Sequence, residues 1–428
     1  MIQTKSKNSS LWDKTKEYIQ NVVEKQNKWR NECINLIASE NVMSKACEQA
    51  YLSDFLHRYA EGEPYKRYYQ GTRYVDDIES IAQELIGELL LVPFVDVRPI
   101  SGTIANYAAL SAFTKPGDAI FSLATEAGGH ISHNPAGAPG ALGLKVYNYP
   151  FDNENFNIDV DKAVREIVKV KPKVLILGAS LFLFPHPVEE MKSIAEKVGA
   201  IVIYDAAHVL GLIMGGEFQD PIREGADIIT SSTHKTFPGP QGGLIATDNN
   251  DYFKALKRKV FPGVTSNHHL HRLPSLTLAA LEFLKYGEAY AKQIVKNAKA
   301  LAEESYSLDL PVVCEHLGFT ESHQVVMDVK KIGVSSKEAV ENLEKANIIT
   351  NKNLLPWDTI KQVHDPSGIR LGVQEMTRFG MKESEMRSIA KFLKRIILDK
   401  EDPAKVKEDV IELRKQFQKI KYGFNDEE

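Results

Sequence analysis

Between residues 95 and 245 the chain alternates two hydrophobic patterns. The run KVLILGA (173–179) is apolar at successive positions, as a strand buried on both faces requires. PVEEMKSIAEKVGA follows, where Val188, Met191, Ile194 and Val198 line one helical face and Gly199 supplies the stop. AIVIYDAAH (200–208) and, after a connection, ADIITSSTHK (226–235) return to the strand pattern. Strand, helix, strand, connection, strand predicts a right-handed parallel sheet covered by helices. In such sheets chemistry sits just beyond the carboxyl ends of strands, where Asp205, His208 and Lys235 fall.

Both flanks read differently. Residues 8–30 open with Asn8, Ser9 and Ser10 as capping residues, and Leu11, Trp12, Tyr18, Ile19, Val22 and Val23 then recur at helical spacing. This segment reads as an arm packing on the body or on a partner subunit. From about residue 290 helical patterns mix with short strands, including VVMDVK (325–330), and SGIRLG (367–372) reads as a turn. The chain closes on an amphipathic helix with Val406, Val410, Leu413, Phe417 and Ile420 on one face, followed by a short acidic tail. The resulting division is an N-terminal helical arm at a subunit interface (1–55), a large α/β domain (56–290) and a smaller α+β domain (291–428).

Composition narrows the function. A chain of 428 residues exceeds one ordinary core. Its net charge of -4 gives no electrostatic reason to expect nucleic acid or an anionic membrane as partner. Three cysteines, Cys33, Cys47 and Cys314, lie far apart without metal-ligand spacing, the usage of a reducing compartment. The first residues carry no apolar secretory segment, and runs such as KVLILGASLFLF are about half the length that crosses a bilayer. A cytoplasmic location is expected.

The chemistry is concentrated in a few strand-end motifs. STHKTFPGPQGG puts Lys235 directly after a strand, flanked by the hydroxyls of Ser232 and Thr233, the ring of His234, and glycines that let backbone approach a ligand. A lysine desolvated in such surroundings can lose its proton and form an imine. Asp205 alone reads as a helix N-cap. Paired with Lys235 it also reads as the partner of a protonated pyridine nitrogen, which pyridoxal phosphate needs to act as an electron sink. Ser101, Gly102 and Thr103 stand at the mouth of a helix, either as a plain cap or as a phosphate site. His130 and His133 have the i,i+3 spacing of metal ligands but no acidic or cysteine partner follows, so no metal is expected. A ring stacked on a planar cofactor is the better reading of His130.

NLIASEN (35–41), YAEGEPYKRYYQG (59–71), SGTIAN (101–106), GGHISH (128–133), YDAAHVLG (204–211), STHKTFPGPQGG (232–243), FPG (261–263) and SGIRLG (367–372) occur in the order and spacing of serine hydroxymethyltransferases, from about residue 31 to 385. The chain resembles that family, which has the pyridoxal phosphate fold of type I (aspartate aminotransferase-like). The resemblance implies an α/β fold with a mainly parallel sheet and shared active sites in a homodimer or a pair of dimers. It implies that Lys235 is the Schiff-base lysine, Asp205 the pyridinium partner, and His208 a contact to the cofactor phenolic oxygen or substrate. His130 resembles the stacked ring and Ser180 the serine near the 3′ oxygen. Ser101, Gly102, Thr103, Ser232 and His234 match phosphate binders, with Gly263 reaching in from the other chain. Arg370 matches the clamp on the substrate carboxylate and Ser39 a second contact to it. Tyr59, Glu61 and Tyr69 are expected from the neighbouring subunit, Glu61 as the acid/base group. Glu61, Thr125, Gly129, Ile131 and Asn353 match contacts to a tetrahydropterin co-substrate. The implied reaction converts L-serine and a tetrahydropterin to glycine and the methylene-tetrahydropterin.

Departures from the family pattern cluster on the pterin half. Gln241 stands where bacterial and eukaryotic members usually carry arginine. LLPWDTIKQVHDPSGIR (354–370) replaces the usual proline- and phenylalanine-containing segment, and FPGVTSNHHLHR lacks the extra glycines that follow FPG. A modified tetrahydropterin rather than tetrahydrofolate is therefore the expected one-carbon carrier. The alternative is a pyridoxal phosphate-dependent threonine or allo-threonine aldolase, which needs the same lysine, aspartate and arginine but no pterin.

Overall fold

The computed structural model describes residues 9–424. Asn8 and the acidic tail lie outside the described residues. Helix α1 (Ser9–Asn31) occupies the predicted arm. Its apolar residues Leu11, Trp12, Tyr18, Ile19, Val22 and Val23 are 45–69% exposed, so this face does not pack on the body of its own chain. The far end is anchored where Trp29 Nε1 donates to Asn347 Oδ1 at 3.1 Å.

A seven-stranded sheet forms the centre. Its strands are β1 (Phe94–Asp96), β2 (Ala119–Ser122), β3 (Lys145–Asn148), β4 (Val174–Leu177), β5 (Ile201–Asp205), β6 (Ile228–His234) and β7 (Pro238–Thr247), in the order β1-β7-β6-β5-β4-β2-β3. The pairs β6–β5, β5–β4, β4–β2 and β2–β3 are parallel, and β7 runs antiparallel to both β6 and β1. Val174 to Leu177 are all buried, which explains the unbroken apolar run: helices cover both faces of a parallel sheet. Helix α2 (Gly102–Phe113) packs on β6 and β7. Helix α3 (Val188–Val198) buries Val188, Met191 and Ile194 and ends at Gly199 with φ +71°.

Helix α4 (Arg272–Ser307) runs 36 residues and carries the chain from the large sheet to the smaller C-terminal part. The boundary drawn at 290/291 falls inside it. Beyond it, β8 (Gln324–Asp328), β9 (Asn351–Asn353) and β10 (Gly368–Gly372) form an antiparallel sheet in the order β8-β10-β9. Ile34–Asn35 pairs in parallel with Ile348–Ile349, so the segment after α1 belongs to this part of the fold.

Two expectations are corrected here. SGIRLG is not a turn but the central strand β10. All five residues of the strand are buried, and the glycine at 372 serves close packing: a Cβ there would stand 2.4 Å from Ala38 Cα. The closing helix (Pro403–Lys415) stops before Phe417 and Ile420. Those two side chains pack on the core from the segment beyond it, which is tied down where Lys421 N–H donates to the Arg378 carbonyl at 2.9 Å.

Candidate active site

Parallel pairing of β5 and β6, with Asp205 opposite Thr230, brings two strand ends side by side. Asp205 closes β5 and Lys235 follows β6. Both side chains line a cavity of about 230 Å³, with Ser101, Gly102, Thr103, Asn106, His130, Ser180, His208, Ser232 and His234 around it. A cleft of about 360 Å³ opens from it. The cleft shares His130, Ser180, His208 and Lys235 and adds Ser39, Thr125, Gly129, Ile131, Asn353 and Arg370.

Asp205 is buried, which alone would raise its pKa. The hydrogen bond from His133, with the nearby charge of Lys235, outweighs that and holds the carboxylate well below its usual range. Its Oδ2 accepts from His133 Nε2 at 2.9 Å and from Asn106 Nδ2 at 2.7 Å, and its Oδ1 from Ala207 N–H at 2.9 Å. Asn106 is itself fixed by Thr230 Oγ1, which donates to its Oδ1 at 2.6 Å. Sequence reading missed both supports. Asn106 lies one turn beyond Gly102 on the same face of α2, and that spacing was the available signal. His133 had been weighed only as a metal ligand.

Burial lowers the Lys235 pKa to about 8; Asp205 opposes the shift and Arg370 adds to it. An ammonium held there gives up its proton near pH 8 instead of near 10.5, and the free amine is the nucleophile. Capture of an aldehyde cofactor by the apoprotein should therefore speed up as pH rises and level off above about 8. Following absorbance after cofactor addition across that range checks this. A plateau delayed to the pH of an ordinary lysine would contradict it.

Arg370 is buried, and burial lowers its pKa to about 10, which still leaves it charged at neutral pH. Its hydrogen bonds run to neutral oxygens: Nη1 to the Ser180 carbonyl at 2.6 Å, and Nε and Nη2 to Asn351 Oδ1 at 3.3 Å. A desolvated cation without a neutralising partner is costly, and a ligand carboxylate would relieve it. Burial likewise depresses the His130 pKa to about 4, so this ring is neutral. Its Nδ1 accepts from Ser132 N–H at 3.2 Å.

Ser101 caps α2, its Oγ accepting from Ile104 N–H at 3.1 Å. The opening residues of α2, Gly102 and Thr103, line the cavity beside Ser232 at the end of β6. Position 102 is tight: a Cβ there would stand 3.2 Å from Ser232 nitrogen, so the end of β6 would have to give by a few tenths of an ångström. Two buried polar atoms at this end, Ser232 Oγ and His234 Nδ1, have no partner among the described residues. Helix amides with orphaned side-chain groups form a cradle suited to an anion.

Four predicted residues lie elsewhere. Tyr59 and Tyr69 are exposed, with ring centroids 5.0 Å apart, and Glu61 lies between them in sequence. Gly263 follows the cis Phe261–Pro262 bond. None of the four lines either cavity within one chain.

The serine hydroxymethyltransferase family model matches residues 12–393. The chain belongs to this family. It is 55% identical over 417 residues to a serine hydroxymethyltransferase of Pyrococcus abyssi, covering 96% of this chain and 98% of the relative. Similar relatives carry that name in Thermococcus kodakarensis (55% over 407 residues, 94% of each chain) and Saccharolobus islandicus (53% over 411 residues, 96% and 95%). Among solved structures, an L-threonine transaldolase from Pseudomonas fluorescens superimposes with a TM-score of 0.88 at 29% identity, covering 98% of this chain and 97% of that one. The fold is thus pyridoxal phosphate fold-type I, and the family is one of pyridoxal phosphate-dependent transferases. The residues fit that cofactor: an anion cradle at one end of the cavity, an ionised carboxylate and a lysine of lowered pKa within it, and a neutral imidazole on its wall. Among the described residues no helix is long and apolar enough to cross a membrane.

Proposed function

We propose that the protein transfers the hydroxymethyl carbon of L-serine to a tetrahydropterin, leaving glycine, and runs the reverse reaction for serine synthesis. The observation that carries the reading is the convergence of Lys235, Asp205 and Arg370 on one connected cavity, in a chain whose family performs this reaction. Pyridoxal phosphate, when bound, supplies an electron sink for the bond broken at Cα.

The chain's residues do the rest. Ser101, Gly102, Thr103, Ser232 and His234 would hold the phosphate, and Asp205 the ring nitrogen, kept protonated by the depressed carboxylate pKa. His130 would cover the ring face. Lys235 would hold the cofactor between turnovers and would move protons at the substrate amine and Cα. Arg370, with Ser39, takes the substrate carboxylate through two parallel N–H donors, a fork that fixes which Cα bond stands ready to break. Ser39, Thr125, Gly129, Ile131 and Asn353 line the cleft in which a pterin would lie.

The acid/base step at the substrate hydroxyl needs Glu61, with Tyr59 and Tyr69 beside it. Because these three lie outside the single-chain cavity, the proposal includes a homodimer, or a pair of dimers, whose second subunit brings them and Gly263 to the site. The arm's exposed apolar face suits such an assembly.

The carrier follows from the cleft. Leu354, Val363 and Pro366, from the segment that departs from the family pattern, form part of its wall beside Asn353. A wall altered there favours a modified tetrahydropterin. Relatives at 53–55% identity with the hydroxymethyltransferase name weigh against the aldolase alternative. Serine consumption by purified protein should depend on added tetrahydropterin, with kcat/KM larger for a modified carrier than for tetrahydrofolate. Equal serine loss without pterin would favour the aldolase. A clear preference for plain tetrahydrofolate would remove the carrier assignment alone.

A further inference from the structure

Gln324 opens β8 and is fully buried. Its Oε1 accepts from the backbone N–H of Phe182 at 3.0 Å. That N–H can only donate, so the amide cannot be turned round. Its Nε2 must then face acceptors. It lies 3.0 Å from the Ser180 carbonyl and 3.1 Å from His208 Nδ1. A third neighbour, His323 Nε2 at 3.4 Å, is not an acceptor: it stands 3.1 Å from the Ala38 carbonyl and carries the hydrogen donated there. Two N–H groups thus meet two acceptors, and the amide is saturated. An amide N–H directed at His208 Nδ1 requires a lone pair on that nitrogen. The ring proton is left on Nε2, the nitrogen that remains for the cavity His208 lines.

We propose that Gln324 is a positioning residue for the reaction, holding His208 as the neutral imidazole protonated on Nε2, a fixed N–H donor to the cofactor and substrate. The assignment rests on the proposed function for its catalytic meaning, though the tautomer itself follows from geometry alone. Protonating Nδ1 would set two donors against each other in a dry site, so His208 is barred from cycling through the imidazolium form. The surroundings agree. His208 is buried, and Lys235, Arg370, His323 and His130 face it, all of which disfavour a charged ring. Asp205, the carboxylate lining the same cavity, is already engaged by His133, Asn106 and Ala207 N–H. His323 stacks on His208 with centroids 5.6 Å apart and planes 19° apart.

Gln324 also links His208 to the carboxylate clamp. The Ser180 carbonyl that accepts from Gln324 accepts from Arg370 Nη1 as well, and β8 pairs with β10, which carries Arg370. One acceptor therefore registers both groups across the junction between the large sheet and the C-terminal sheet.

Nitrogen-15 NMR of histidine-labelled holoenzyme, with the His208 signals assigned by their loss in His208→Asn, tests the proposal. Wild type should show a bare Nδ1 and a protonated Nε2 throughout the neutral pH range. Gln324→Glu should place a proton on Nδ1, because a carboxylate oxygen there accepts instead of donating. Gln324→Met should release the ring to a mixture of tautomers and lower kcat roughly 10- to 100-fold with KM for serine little changed. Should the glutamate variant fail to fold, the methionine variant and wild type still decide. A protonated Nδ1 in wild type, or a ring state indifferent to both substitutions, overturns the proposal. Inactivity towards serine with the wild-type tautomer as stated would instead count against the proposed reaction.

Discussion

Replacing Lys235 with alanine should lower serine cleavage by about 10²- to 10⁴-fold, the range lost with a positioned proton-transfer group. The visible absorbance of lysine-linked cofactor should disappear with it. The fold should survive, because Lys235 is a buried cation next to Arg370, and alanine removes a desolvated charge. Cofactor is still expected to bind, since the phosphate cradle at α2 and the carboxylate of Asp205 remain. Absorbance spectra, thermal unfolding and serine turnover of the one variant separate these effects. Retention of full activity would refute the central reading.

The second large effect is expected at Asp205. Asparagine keeps the shape and the acceptor for Ala207 N–H but loses the charge. Its amide would also confront the hydrogens of Asn106 Nδ2 and His133 Nε2, both now directed at Oδ2. Leaving such donors unsatisfied in a buried site costs about 1–3 kcal/mol. Activity should fall on the order of 10²- to 10³-fold, as when one preorganised electrostatic contact is removed. The pH dependence gives an independent check. The folded-state pKa of Asp205 is depressed, so its stabilisation is complete above the ordinary aspartate value of about 3.9 and is lost as pH falls through the lower folded value. Asp205→Asn should therefore lose less stability on acidification than wild type. Parallel acid unfolding curves, or turnover near the wild-type rate, would contradict the role given to this carboxylate.

The two residues were legible for different reasons. Asp205 ends an unbroken apolar strand, where a carboxylate is conspicuous. Lys235 sits between a strand and a proline- and glycine-rich loop, where backbone must pass close to something. Gln324 carried no such mark. It opens a short strand 116 residues from His208 in sequence, and only the packing of the C-terminal sheet against the large domain brings the two together. SGIRLG misled for a related reason. Read as a turn, it is a central strand whose two glycines make room for Ala38 and for the Asn353 carbonyl.

By itself the sequence determined the mainly parallel α/β core, the strand ends that carry Asp205 and Lys235, and a family whose cofactor is pyridoxal phosphate. Periodicity and strand order are local properties, and a chain writes them directly. Tertiary structure alone decided which polar groups hold the charged ones: Asn106 and His133 on Asp205, and the Ser180 carbonyl and Asn351 on Arg370. Hydrogen bonds of that kind join residues up to 190 positions apart. Their partners are common polar residues whose meaning comes only from the burial and direction that folding gives them.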